Sequence, residues 1–497
     1  MKLFSSTESY KLYQGNMLDM LDVIEPNSID AIVTDPPYEL GFMGKSWDNS
    51  GVAFQKETWE KCLKVLKPGG YLLAFGGSRT HHRIMCAIED AGFEIRDMIC
   101  WIFGSGFPKS MNIGLAVDKK NGVESELGGV KAGHQDFVGR TTNGDTRFED
   151  GMSGFDRPWM HNDEKREAYH YEKLPTSEEA KKWAGWGTQL KPAYESITVA
   201  RKPCEGSCVD NVMKYGVGGI NIDECRVGTD VITTNGARKN PMAGDERTGK
   251  ALGMFQETEA LNTDHTGRFP ANVILTYDDT DFDEVCGGMP SRGANGSVSK
   301  TYDYKGEVFG DYKQKPPFDS YGDSGSAARY FYCAKASKRD RDEGLEAFLT
   351  QKTGDLQGGR QEGSAGSLRV RSDGSIGVNP YAGNGAPKKN THPTVKPTDL
   401  MQYLVRLVTP PHGTVLDPFN GSGSTGKAAM YENKDRNAGY KYIGIELTPE
   451  YLPIADARIR FALGDTTPVE YSEVVSNKTT PKSVNSSGQI SLFDDNT

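Results

Sequence analysis

Strand-like and helix-like segments alternate in two separate parts of the chain, and this alternation is the strongest constraint on its fold. The first part runs from about residue 10 to residue 205, and the second runs from residue 391 to about residue 463. In both, short apolar runs rich in β-branched residues are followed by segments with helical spacing. This order predicts an α/β protein with a doubly wound, parallel sheet and helices on both faces.

The composition changes between and after these two parts. Residues 118–180 are polar and weakly periodic, so we expect an excursion from the sheet. Residues 206–390 combine short apolar runs with glycine-rich and charged loops, which favours an inserted α+β region with a mobile loop. The polar end is expected to be disordered. The predicted units are a first half-domain at 1–205, an insertion at 206–390, a second half-domain at 391–463 and a tail at 464–497.

Bulk properties exclude some classes of protein. No run approaches the ~18 apolar residues of a membrane span, and no apolar signal core is present at the start, so we expect a cytoplasmic protein. The net charge of -10 argues against a protein that coats nucleic acid without specificity. Among the eight cysteines only Cys204 and Cys208 lie close together, which favours reduced thiols over a zinc site. No metal is predicted.

The apolar run at 29–34 is followed directly by Asp35, Pro36, Pro37 and Tyr38. Neither proline can donate to a sheet ladder, so the predicted strand ends here and the backbone beyond it is stiff. The carboxyl edge of such a sheet is where α/β proteins bind ligands. A carboxylate that accepts from an amino group, beside a ring that stacks on a base, predicts a site for a planar amine. The alternative is a proline-rich turn with no ligand.

A glycine-rich turn follows the predicted strand at 413–417. It comprises Asp417, Pro418, Phe419, Asn420, Gly421, Ser422, Gly423, Ser424, Thr425 and Gly426. The glycines match the G-x-G-x-x-G pattern of strand-to-helix turns, and Glu446 ends the next strand about twenty residues on, where an acid binds ribose hydroxyls. An adenosine-containing cofactor is therefore favoured over an incidental turn.

Asp417 decides which cofactor is expected. A pyrophosphate is bound by backbone amides at a helix N-terminus, and a carboxylate aimed at it would be repulsive. The acid suits a ligand with an ammonium group and a sulfonium centre. S-adenosyl-L-methionine has both, and its ribose diol suits Glu446. Phe419 is expected either beside the adenine or in the core.

Together with Thr391-His-Pro-Thr-Val-Lys-Pro397, these motifs resemble those of the amino-group DNA methyltransferases, which make N6-methyladenine or N4-methylcytosine. The resemblance covers about residues 10–105, 183–203 and 390–462. The target motif precedes the cofactor motif, as in the β class, so the resemblance implies a circularly permuted methyltransferase sheet in which the insertion reads the target.

The resemblance also implies roles for two further residues. Asn16, in Gln14-Gly-Asn16, is expected near the cofactor adenine, although an acid is frequent there in the family. Lys396 is expected at a phosphate or at the cofactor's edge, with a solvated lysine as the alternative. His392 is expected to be structural.

In this family an aspartate at the first position of the target motif is typical of adenine enzymes. The resemblance therefore implies site-specific methyl transfer to the exocyclic N6 of an adenine flipped out of double-stranded DNA, as in restriction-modification systems. Asp35 and a carbonyl of Pro36 or Pro37 would accept the two N–H groups while Tyr38 stacks on the base, with no covalent intermediate.

Several alternatives stay open. Within the class, N4-cytosine methylation is the first, and RNA or protein glutamine are further targets with a planar amino group. A nicotinamide oxidoreductase would leave Asp417 and Asp35 unexplained. A non-catalytic DNA-binding or clamp-associated protein would transfer no methyl group.

Other segments bear on partners. Basic spots at 238–239, 329 and 335–341 are expected to contact phosphates. Gln489-Ile-Ser-Leu-Phe493 resembles the peptide that docks on the bacterial sliding clamp and would order on binding. Trp183 and Trp186 are expected in the core, with a surface that faces DNA as the alternative.

Overall fold

The computed structural model describes residues 2–40, 48, 50–104, 110–130, 171–234, 263–276, 331–333, 338–346, 348, 368–370, 376–378 and 389–465. Within these ranges, no helix has the length and apolarity that a membrane span requires. The predicted clamp peptide at 489–493 and the basic positions 238, 239, 329 and 335 lie outside the described residues.

The described residues form ten α-helices. They are α1 Met17–Val23, α2 Lys56–Val65, α3 His81–Asp90, α4 Ile113–Lys120, α5 Glu178–Lys181, α6 Cys208–Tyr215, α7 Lys338–Asp342, α8 Thr398–Val408, α9 Ser424–Arg436 and α10 Leu452–Leu463.

The strands include a first one, at 2–6, that the sequence did not predict. They are β1 Lys2–Ser6, β2 Tyr10–Gln14, β3 Ile29–Thr34, β4 Leu66–Gly76, β5 Glu94–Phe103, β6 Glu126–Val130, β7 Tyr171–Leu174, β8 Tyr194–Arg201, β9 Val227–Thr234, β10 Thr263–Arg268, β11 Val273–Thr276, β12 Tyr332–Cys333, β13 Leu368–Val370, β14 Ile376–Val378, β15 Thr414–Asp417 and β16 Lys441–Glu446.

Ten of these strands form one sheet in the order β1-β2-β16-β15-β3-β4-β8-β5-β11-β12. Within this order, the five neighbouring strands β2, β16, β15, β3 and β4 run parallel to one another, which confirms the α/β class. The sheet is mixed, however, because β8 lies antiparallel between β4 and β5. The described residues between β5 and β8 include an antiparallel pair of their own, β6 with β7. A connection of this length allows either strand direction.

Strand β3 shows why helices cover both faces of the sheet. All of its residues are buried. Ile32 belongs to the core that α1, α2 and α3 cover, whereas its neighbours Ala31 and Val33 belong to the core under α8, α9 and α10. Because side chains alternate along a strand, an uninterrupted apolar run needs cover on both sides.

Part of the predicted insertion belongs to this sheet. Strand β11 pairs with β5, and β12 pairs with β11, both in parallel register. The sequence assigned both apolar runs to a separate module because a short run does not reveal which strand it will pair with. The limits of a target-recognition region stay a prediction.

Buried charges hold α7 against the second half-domain. Lys427 and Arg458 have no solvent exposure. The Asp340 carboxylate accepts from Lys427 Nζ at 2.6 Å and lies 3.9 Å from Arg458. Glu343 adds a second carboxylate 2.8 Å from the Lys427 ammonium. Two buried cations are thus balanced by one short acidic segment.

This packing corrects one expectation about the basic spot at 335–341. The Arg341 guanidinium donates to the carbonyl oxygens of Asn390, at 3.3 Å, and His392, at 2.6 Å. It ties α7 to the segment before α8, so Arg341 is a structural residue and is not placed to bind phosphate.

Replacing Asp340 by alanine should destabilise the protein strongly, because Lys427 would keep only Glu343 and Arg458 would lose its nearest carboxylate. Breaking such a buried pair costs about 3–5 kcal/mol. We expect Asp340→Ala to lower the free energy of unfolding, measured by urea denaturation, by an amount in this range. The control Glu178→Ala removes an exposed partner of Lys181 and should change it by less than about 1 kcal/mol. Equal effects of the two variants would contradict this account.

Candidate active site

Strands β3 and β15 are neighbours at the point where the order of the sheet reverses. From β3 the chain continues to β4 on one side, and from β15 it continues to β16 on the other. Open α/β sheets bind ligands outside the carboxyl ends of strands at such a switch point. Asp35 follows β3 and Asp417 ends β15, so the two predicted motifs meet here although they lie far apart in sequence.

Both motifs line one cavity of about 1080 Å³. Small-molecule sites are typically ~300–1,000 Å³, so this cavity has room for two ligands side by side. Of the predicted site residues, those in its walls are Asn16, Asp35, Pro36, Pro37, Tyr38, Lys396, Asp417, Pro418, Phe419, Asn420, Gly421, Ser424, Thr425 and Glu446.

One of the two oxygens of the Asp35 carboxylate has a hydrogen-bond partner. Its Oδ2 accepts from Lys396 Nζ at 2.7 Å. Its Oδ1 is buried and has no hydrogen-bond partner among the described residues. Burial raises the pKa of Asp35, and the nearby Lys396 ammonium opposes that rise. A buried acceptor without a donor is costly, and a ligand that brings an N–H group into the cavity would satisfy it.

The Tyr38 ring is fixed at the same wall. Its hydroxyl donates to Glu195 Oε2 at 2.7 Å. Gly77 gives the ring room, since a Cβ at that position would lie 2.9 Å from Tyr38 Cδ2. The hydroxyl contact thus restrains the ring in the cavity wall, and its role as a stacking surface stays a prediction.

Lys396 lies inside the site with a side chain that is 7% exposed, so the alternative of a solvated lysine is wrong. Its ammonium also lies 3.3 Å from Glu195 Oε2. Burial alone would lower the pKa of Lys396, but the carboxylates of Asp35 and Glu195 raise it above its usual range. The lysine is therefore a charged part of the site. A contact with phosphate or cofactor stays a prediction.

Asp417 is buried beneath the glycine turn with three donors. Thr34 Oγ1 donates to Oδ1 at 2.6 Å, Thr425 Oγ1 donates to Oδ2 at 2.7 Å, and the Phe419 amide donates at 3.1 Å. Burial nevertheless raises the pKa of Asp417 to about 6.

Glu446 lies at the tip of β16 against the same turn. Its carboxylate accepts from the amides of Gly421 and Thr448, each at 2.7 Å. Burial raises the pKa of Glu446 to about 7. This carboxylate therefore fixes the turn and still presents free lone pairs to the cavity.

Two glycines make the turn possible. Gly421 and Gly423 have φ angles of 51° and 74°, in the left-handed region. A Cβ on Gly421 would lie 2.8 Å from His392 Nε2, and one on Gly423 would lie 2.9 Å from the Ala455 Cα. Gly423 is the N-cap of α9, and the cavity wall does not include it.

Other predicted residues support this framework. Asn16 Oδ1 caps α1 by accepting from the Leu18 amide at 3.0 Å, while Asn16 also lines the cavity. Asn420 Oδ1 accepts from the Tyr442 hydroxyl at 2.6 Å, and Ser424 accepts from Arg458 at 3.1 Å. Contacts of these residues with a cofactor stay predictions.

His392 has a structural environment. Its ring lies 4.6 Å from that of Tyr451, and burial lowers its pKa to about 3, so the imidazole is neutral. Trp183 and Trp186, by contrast, are 42% and 60% exposed, so the expectation that they lie in the core is wrong. Their rings pack on each other at 5.4 Å.

Sequence reasoning missed Glu195. The sequence does show a carboxylate at the start of a predicted strand. Whether that residue reaches the site depends on the direction of β8. Because β8 is antiparallel to β4, its first residues lie at the carboxyl edge of β4.

A family model described as DNA methylase matches residues 29–123 and 299–457, which make up just over half of the chain. The chain belongs to the N6/N4 DNA methylase family. The resemblance of its motifs to the amino-group DNA methyltransferases is thereby confirmed.

Curated proteins and solved structures resemble parts of the chain. The type II methyltransferase M.HpaI of Haemophilus parainfluenzae is 36% identical over 106 residues, which are 20% of this chain and 34% of that protein. The chain spans about a third of the length of curated relatives such as this one.

Two solved structures are similar to most of the chain. The M1.HpyAVI–SAM complex matches with a TM-score of 0.32 and 13% identity, covering 90% of this chain and 99% of that one. The cytosine-N4-specific PvuII DNA methyltransferase matches with a TM-score of 0.38 and 14% identity, covering 95% and 93%.

The raised pKa of Glu446 predicts a pH dependence of stability. When the pKa of a carboxyl rises on folding, the group is protonated in the folded state and ionised in the unfolded state at any pH between its two pKa values. Its contribution to stability is therefore complete below the pKa of the unfolded state and is lost as pH rises through the pKa of the folded state. For Glu446 this window runs from 4.5 to about 7.

We expect Glu446→Gln to have a lower Tm than the parent at low pH. As pH rises from about 5 to 8, the Tm of the variant should fall less than the Tm of the parent. The measurement is thermal unfolding of the ligand-free protein across this range. The exposed variant Glu178→Gln should follow the parent curve. Parallel curves for Glu446→Gln and the parent would refute the proposed shift.

Proposed function

We propose that the methylase transfers a methyl group from S-adenosylmethionine to the exocyclic N6 of an adenine flipped out of double-stranded DNA, within a specific sequence. The observation that carries this proposal is the free Oδ1 of Asp35. It is a buried acceptor beside a restrained aromatic ring, in a cavity that also contains the glycine turn.

The residues of the second half-domain fit this cofactor. Asp417 and Glu446 are buried acids whose described partners are hydroxyls and backbone amides, with no cation among them. They favour a ligand that brings positive charge, and Glu446 suits a ribose diol. When bound, S-adenosylmethionine supplies a methyl group on a sulfonium centre.

The residues of the first half-domain fit the amine. Asp35 Oδ1 would accept one N–H, and a carbonyl of Pro36 or Pro37 would accept the other. These contacts turn the nitrogen lone pair out of conjugation with the ring and hold it for an in-line displacement. The negative Asp35 would stabilise the positive charge that develops on the amine while the N–C bond forms and the S–C bond of the sulfonium breaks. The surplus proton would then pass to water.

Adenine is favoured over cytosine by the aspartate that begins the target motif. Cytosine N4 offers the same two N–H groups, so N4 methylation is the second candidate. Detection of the modified base separates the two.

Asp35→Asn should abolish methylation. Lys396 requires an acceptor, so the amide oxygen of asparagine would turn toward it and present an NH2 group to the target amine. We expect at least a ~100-fold loss of transfer, typical for the loss of one preorganised polar contact at a reacting centre.

The test is expression in a host that lacks DNA methylation, followed by sequencing with modification detection. The parent should mark a recurrent motif with N6-methyladenine, Asp35→Asn should not, and the surface control Asp22→Asn should. Calorimetry should show that Asp35→Asn still binds S-adenosylmethionine. A parent that binds this cofactor but leaves DNA unmarked would redirect the proposal to RNA or protein.

A further inference from the structure

The Lys396 ammonium lies close to three protein oxygens. These are Asp35 Oδ2 at 2.7 Å, the Tyr38 hydroxyl oxygen at 3.3 Å and Glu195 Oε2 at 3.3 Å. The ammonium is thus engaged by Asp35, Tyr38 and Glu195, and it can affect the reaction through these neighbours.

The net charge of the group formed by Asp35, Lys396 and Glu195 depends on Glu195. Asp35 and Lys396 alone form a neutral pair, so the ammonium offsets part of the stabilisation that the Asp35 carboxylate gives to a cation forming beside it. The Glu195 side chain is only 24% exposed, so its charge is only partly screened by water. Two carboxylates and one ammonium leave the wall of the cavity with a net negative charge.

Glu195 also restrains the ring. Its Oε2 accepts from the Tyr38 hydroxyl at 2.7 Å, and the Lys396 ammonium lies 5.3 Å from the centre of the Tyr38 ring. One carboxylate oxygen therefore fixes both the lysine and the tyrosine.

We propose that Glu195 is a positioning residue for methyl transfer, an inference that rests on the proposed function. It acts through Lys396 and Tyr38. It keeps the wall that receives the target base net anionic while Lys396 holds Asp35 in place, and it holds the tyrosine ring in a stacking orientation.

This role predicts a change in pH profile. The negative charge of Glu195 raises the pKa of Asp35, so its removal should lower that pKa. The acidic limb of kcat against pH, which follows ionisation of Asp35, should then move to lower pH while the plateau falls. The charged and titratable groups that surround Asp35 and share this field are Lys396, Glu195, Tyr38, Asp417 and His392.

The experiment uses the full chain and a duplex that contains the motif found in the host. Glu195→Gln keeps the size of the side chain and an acceptor for Tyr38 but removes the charge. We expect kcat to fall about 10- to 100-fold, with the acidic limb shifted to lower pH and with KM for DNA and the affinity for S-adenosylmethionine unchanged.

Two further variants make the result specific. Glu195→Asp restores the charge and should recover part of the loss in kcat. Glu178→Gln removes a charge from a side chain that is 88% exposed and should behave as the parent. Retained cofactor affinity shows that each variant is folded.

The inference is overturned if Glu195→Gln keeps the parent kcat, or if Glu195→Gln and Glu195→Asp are equally impaired with an unmoved acidic limb. In both cases the parent still methylates DNA, so the proposed function stands. A parent that transfers no methyl group to DNA overturns the proposed function and this inference together.

Discussion

The ion pair between Asp35 and Lys396 is the contact on which the rest of the site depends. Its partners are separated by 361 positions, and the hydrogen bond from Thr34 to Asp417 spans 383. Parallel pairing of β3 with β15 brings both contacts together. The site is therefore complete only when the second half-domain, at 391–463, has added its strands to the sheet. Since the entropy of closing a loop grows slowly with its length, a long insertion between the halves adds little cost.

Buried charge in the site falls into two groups with different balance. Around Asp35, two carboxylates share one ammonium. Under the glycine turn, Asp417 and Glu446 are satisfied by hydroxyl and amide donors, and burial raises the pKa of both. Neither arrangement maximises the stability of the ligand-free fold. Both favour partners with positive charge or free N–H groups, as expected where a fold gives up stability for a binding site.

The parts of the fold and site that could be predicted are those encoded locally. The strand ended by Pro36 and Pro37, the glycine turn and the acid at the end of β16 each lie within a short window, and their periodicity and spacing suffice. The pairing of strands is not local. The antiparallel direction of β8, the place of β11 and β12 at the sheet edge and the contacts of α7 follow from packing between distant segments.

The same reason explains the errors at the level of single residues. Lys396 was placed near the site by its motif, but its carboxylate partners come from β8 and from the residue after β3. Glu195 belongs to none of the motifs found in the sequence. Trp183 and Trp186 have the composition of core residues, yet the excursion that carries them leaves them largely exposed.

The central claim is that Lys396 occupies one oxygen of Asp35 and reserves the other for the target amine. A crystal structure of the protein with a duplex containing its motif and an unreactive analogue of S-adenosylmethionine tests it directly. The account predicts a flipped base whose amino nitrogen lies within hydrogen-bond distance of Asp35 Oδ1, with Lys396 still on Oδ2. An amine bonded to Oδ2 with Lys396 displaced, or a base bound outside this cavity, would contradict it.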